Sequence, residues 1–122
     1  MPMSRDHKKL RVFALADEVA IDIYRATATF PLVERYGLQA QLRRAAVSTA
    51  ANIVEGCTRT TTKDYVHFLT VSLGSASEVR YLVDLACRLQ LLPQPAAESL
   101  EGRCGELVRS LQKIVTSLGA SP

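Results

Sequence analysis

The sequence has no tryptophan, and aromatic residues make up only 6% of it, so leucine, alanine and valine must supply most of any core. Histidine occurs twice, as His7 and His67, too few for a histidine-rich metal site. A dimetal carboxylate centre in a helical bundle needs Glu-x-x-His on each of two helices. The chain has no such motif, and its nearest approach is Asp64-Tyr65-Val66-His67. The three cysteines, Cys57, Cys87 and Cys104, form no C-x-x-C pair, which argues against a zinc knuckle or a redox motif. Free, buried thiols in a reducing cytoplasm are the natural reading. No apolar run approaches the roughly 18 residues that a membrane span needs. Met1 to Arg11 lack the apolar segment of a signal peptide. The glycines are scattered, and no phosphate-cradling loop is formed. Cys57 lies close in sequence to His67, but nothing positions a third group to complete a nucleophilic site. No enzyme, cofactor or metal is therefore expected.

What is present is ample apolar material. Hydrophobic residues are 48% of 122, the size of one domain. Heavy alanine and leucine use favours helix. Three breaks punctuate the chain: Phe30-Pro31, then Gly56 with the run Thr58-Arg59-Thr60-Thr61-Thr62, then Leu92-Pro93-Gln94-Pro95. They leave four segments. Over about 9–29, Val12, Leu15, Val19, Ile23, Ala26 and Phe30 recur at helical steps. Over about 38–56, Leu42, Ala45, Thr49 and Ile53 share a stripe beside Ala46, Ala50 and Val54, a small-residue face that allows close helix approach. Over about 62–91, with Asp64 or Thr62 as cap, Phe68, Ser72, Ala76, Val79, Val83 and Ala86 form one stripe, and Leu69, Leu73, Leu82, Leu85 and Leu89 lie off it. Over about 95–118, Leu100, Cys104, Leu107, Leu111, Ile114 and Leu118 repeat at alternating steps of four and three, a coiled-coil-like seam. No segment alternates as a strand does. The expectation is an all-α, antiparallel up-and-down four-helix bundle, a single domain over 1–122 with a flexible arm at 1–8.

The net charge is only +3. Lys8, Lys9 and Arg11 read as a solvated arm. From Glu34 to Lys63 the chain carries Arg35, Arg43, Arg44, Arg59 and Lys63 against Glu34 and Glu55. Arg35, Gln39 and Arg43 are four apart and line one helix edge if the helix reaches that far back. These five cations are the candidate nucleic-acid contacts, because a guanidinium fork suits phosphate; a solvated face or salt bridges are the alternative. Glu55 and Glu78 are within reach of each other if the second and third helices pack, and each then pairs with arginine or caps a backbone group.

The motif Phe30-Pro31-Leu32-Val33-Glu34-Arg35-Tyr36-Gly37-Leu38 continues through Gln41-Leu42-Arg43-Arg44-Ala45-Ala46-Val47-Ser48 and Ala51-Asn52-Ile53-Val54-Glu55-Gly56 to Arg59, Phe68-Leu69 and Gly74-Ser75-Ala76-Ser77-Glu78. It resembles the bacterial four-helix-bundle family that includes proteins encoded within intervening sequences of 23S ribosomal RNA genes. The chain departs from the family pattern at Ala50, where proline is common, and near Cys57, where an aromatic is frequent. The resemblance implies a ring-like homopentamer. It also implies a relative, the accessory protein of diversity-generating retroelements, which works with a reverse transcriptase and binds nucleic acid through a basic surface. Within the motif, Asn52, Glu55, Ser75 and Glu78 are expected to form a structural polar cluster between the second and third helices.

The off-stripe leucines Leu69, Leu73, Leu82 and Leu85 exceed what one bundle stripe needs and are the expected oligomer interface. A non-enzymatic, cytoplasmic, oligomeric scaffold associated with RNA or DNA follows. The alternatives are a protein-interaction scaffold with no nucleic-acid role and a small-ligand-binding bundle using the polar cluster.

Overall fold

In a computed structural model, residues 5–119 are described. They form α1 (Arg11–Thr27), α2 (Leu38–Cys57), α3 (Thr62–Arg88) and α4 (Gln94–Gly119), with short 3-10 turns at His7–Lys9 and Leu32–Glu34. No strand occurs among the described residues. Each helix packs against the next in sequence and α4 closes back on α1, the up-and-down bundle that the short connections favour.

The helix ends follow from local chemistry. The Glu34 side chain accepts a hydrogen bond from the Leu38 backbone N–H (3.2 Å) and so caps α2. Gly37 makes room for it, since a Cβ there would lie 3.1 Å from Glu34 Oε1. Gly56 permits the other close approach: a Cβ would sit 3.1 Å from Phe68 Cβ, where α2 meets the start of α3. The cap of α3 is Thr61, whose hydroxyl accepts from Asp64 N–H (3.1 Å), one residue earlier than the sequence pattern suggests. α3 also stops at Arg88, short of the expected 91, because Gln90 turns left-handed (φ 63°) and Leu91 N–H bonds back to Ala86 C=O.

The core runs the length of the bundle. It takes Val19 and Ile23 from α1, Leu42, Ala46 and Ile53 from α2, Val79 and Val83 from α3, and Leu107 and Leu111 from α4. Among the described residues its buried threonine and serine hydroxyls are all satisfied. Thr27 and Thr49 donate to the carbonyls of Ile23 and Ala45 one turn back, and Ser72 donates across to Thr49 C=O (2.7 Å).

Two expectations change here. Leu69 and Leu82 are 0% and 3% exposed, and Leu73 and Leu85 are half-buried against the same core, so these leucines are not a surplus surface. The reason is that α3 packs on both α2 and α4, so the second apolar face, expected to reach beyond the bundle, is used within it. The arm expected over 1–8 is docked from Arg5 onward. Arg5 N–H bonds to Cys57 C=O (2.8 Å), its guanidinium lies 3.8 Å from the Tyr65 ring centre, and Asp6 caps the 3-10 turn. Residues 1–4 lie outside the described residues.

Candidate nucleic-acid interface

Of the five cations expected to contact phosphate, two are spent inside the bundle. Arg43 lies over the Tyr24 ring (4.4 Å to its centre) and donates from Nε to Thr27 Oγ1 (2.9 Å) and from Nη2 to Tyr24 C=O (3.2 Å). The Tyr24 carbonyl belongs to the last turn of α1, where helices leave carbonyls unpaired and favour positive charge. Arg43 therefore serves as a side-chain cap on α1. Arg59 pairs with Glu55 one turn back and stacks on Phe68 (4.6 Å), with its Nε buried and without a partner. It fastens the end of α2 to α3.

Arg35, Arg44 and Lys63 remain exposed and outside any ion pair among the described residues. They do not form one patch. Arg35 precedes α2 and Lys63 follows it, and a helix of that length separates them by about 30 Å. Neighbours in the sequence window stand at opposite ends of the folded bundle.

The polar cluster is real in part and differently composed. Ser48 Oγ and Ser75 Oγ share a hydrogen bond (2.9 Å), and Asn52 donates from Nδ2 to Ser48 C=O (2.8 Å) and Ser48 Oγ (3.1 Å). Sequence reasoning missed Ser48, although it stands one turn before Asn52. Glu55 leaves the cluster for Arg59, and Glu78 is exposed with no hydrogen bond among the described residues. The two carboxylates also run apart: from the Ser48–Ser75 contact, Glu55 lies along α2 toward one end of the bundle and Glu78 along antiparallel α3 toward the other.

Two buried thiols, Cys57 and Cys104, are set up to stay protonated. Burial pushes the Cys104 pKa from 9.0 up to about 11, against the pull of Arg103 and Arg80. Burial also raises Cys57, with Arg5 opposing. His67 faces the edge of Phe68 (5.3 Å) and makes no hydrogen bond to Cys57 among the described residues. No three histidine, cysteine, aspartate or glutamate side chains gather as a metal site requires among the described residues. No helix among them is long and apolar enough to cross a membrane.

The buried Cys104 thiol makes stability depend on alkaline pH. Above pH 9 the unfolded thiol ionises first, while the folded one holds its proton to about 11. Stability from this group is complete below about 9 and falls away as pH rises through about 11. Urea denaturation across that range should show a steeper loss for the wild type than for Cys104→Ala; equal slopes would contradict the buried thiol.

The same pattern of helices and turns is found in other proteins. The chain is similar in fold to the crystal structure of a protein of unknown function from the S23 ribosomal protein family of Bacteroides thetaiotaomicron, at 23% identity and a TM-score of 0.77, with 85% of this chain and 97% of that chain covered. No curated protein sequence matches the chain. Residues 8–113 match the model of the 23S rRNA-intervening sequence protein family, a span that holds the motif from Phe30 to Glu78, so the chain belongs to that family.

Proposed function

We propose that this chain is a non-enzymatic scaffold that works as a homo-oligomer, with a pentamer preferred from the family resemblance, and that the assembled body associates with nucleic acid. One observation carries the self-association. The turn between α1 and α2 displays Leu32, Val33 and Tyr36 at 73%, 83% and 89% exposure. The turn is rigid, with Phe30 and Leu38 buried on either side of it. Its backbone is closed by bonds from Glu34 N–H to Pro31 C=O, Arg35 N–H to Leu32 C=O and Gly37 N–H to Glu34 C=O. Because the backbone that carries them is already fixed, covering these three large apolar side chains orders no backbone and costs only their rotamer freedom, which favours a binding hot spot. This knuckle replaces the α3 leucines as the proposed interface.

The nucleic-acid part draws on the basic excess and on multiplication: linked copies of a modest cationic surface gain through effective concentration. A cytoplasmic setting is proposed from the buried, protonated thiols Cys57 and Cys104. The test of the interface is Leu32→Glu with Tyr36→Glu, followed by light scattering and circular dichroism. The expected variant is a monomer with unchanged helix content. A variant that keeps the wild-type mass would remove the knuckle from the interface. An intact oligomer with no salt-sensitive binding to RNA or DNA would turn the reading to a scaffold for proteins alone.

A further inference from the structure

The side chains spent internally leave a different basic surface uncommitted. Arg80 of α3 and Arg109 of α4 reach toward each other over Gly105. At the point where a Gly105 side chain would begin, Arg109 Nη1 is 3.2 Å away and Arg80 Cζ and Nη2 are 3.7 Å away. Lys113 follows Arg109 by one turn on the outer side of α4, and the two line the same shallow hollow. None of the three makes an ion pair or a hydrogen bond among the described residues, whereas Arg11, Arg59, Arg88 and Arg103 each hold a carboxylate. From Leu107 to Gly119 the helix carries no acidic residue. Two carboxylates lie near Arg80, but Asp84 is taken by Arg88 and Glu101 lies outside ion-pair distance of Arg80.

Like charges brought this close repel, and an oxyanion between them turns that repulsion into attraction from both sides. Guanidinium groups are the side chains best shaped to share such an oxyanion, because each donates in a planar fork. We infer that Arg80, Arg109 and Lys113 form a phosphate-contacting row along the α3–α4 face, and that its ligand is the phosphodiester backbone of a nucleic acid. The row lies outside the Phe30–Glu78 motif, with Arg80 falling two residues beyond its end. This inference rests on the nucleic-acid reading above and gives it a site different from Arg35, Arg44 and Lys63.

The experiment compares two variants of the full chain that remove the same charge. Arg80→Gln with Arg109→Gln and Arg35→Gln with Arg44→Gln each take two positive charges from the net +3. Each is titrated with salt against duplex RNA and duplex DNA of one sequence. The first variant should weaken binding about tenfold or more at low salt and flatten the dependence of log K on log salt by about 2 for each subunit engaged, one for each phosphate no longer neutralised. The second should stay within about threefold of wild type. Lys113→Gln, an exposed change that leaves the packing untouched, should flatten the slope by about 1 for each subunit engaged and guards against a misfolded double variant. Equal weakening in the two double variants, or the greater weakening in Arg35→Gln with Arg44→Gln, would overturn the site and leave nucleic-acid binding standing. A wild-type protein with no salt-sensitive binding to either duplex would overturn both.

Discussion

Leu69→Ala should lower the unfolding free energy by about 2–5 kcal/mol, the usual cost of cutting a leucine down to alanine in a filled core. Leu69 is fully buried and belongs to the one continuous apolar cluster that spans the bundle. The loss combines apolar area that no longer leaves water with a cavity that the rigid helices around it cannot fully close. Set against a typical domain stability of about 5–15 kcal/mol, it is large enough to read in a single urea titration. Leu73→Ala, at a half-buried position, should cost visibly less. An unchanged denaturation midpoint in Leu69→Ala, together with a drop in oligomer mass, would return the α3 leucines to an interface role.

Arg43→Glu should destabilise the fold by about 1–3 kcal/mol, while Arg44→Glu next to it should change stability by no more than about 0.5 kcal/mol. The two arginines are neighbours in sequence and differ wholly in what they touch. Arg43 bonds Thr27 and the Tyr24 carbonyl and covers the Tyr24 ring; Arg44 is exposed and pairs with no carboxylate among the described residues. A glutamate at 43 would remove those bonds and set a negative charge against the negative end of α1. Thermal melts of the two variants side by side decide it. Equal and small effects would mean that Arg43 is a surface cation available to phosphate, as its sequence position suggests.

The helices were legible because period and punctuation agree. Phe30-Pro31 and Pro93 stand at real breaks, the threonine run after Gly56 holds the turn between α2 and α3, and the α1 and α4 stripes are the buried faces. What escaped depends on partners far away in sequence. The role of Arg43 is fixed by Tyr24 and Thr27 on another helix, and nothing in a one-dimensional charge count marks it as spent. The α3 leucines read as surplus in one dimension because the pattern does not show that α2 and α4 each take one of the two apolar faces. Gln90 carries the left-handed turn that ends α3, a position where glycine is the usual signal, so no residue type marked that end in advance. The Arg80–Arg109 pair joins residues from two helices over a glycine, and only the packing of α3 on α4 brings them together.

Assembly is tested most directly by the mass of the wild-type protein in solution, by light scattering or native mass spectrometry at micromolar concentration. A working scaffold of the kind proposed should give a multiple of the 13.4 kDa chain, with five copies the preferred number. A single species at 13.4 kDa, with Leu32, Val33 and Tyr36 left open to water, would contradict it.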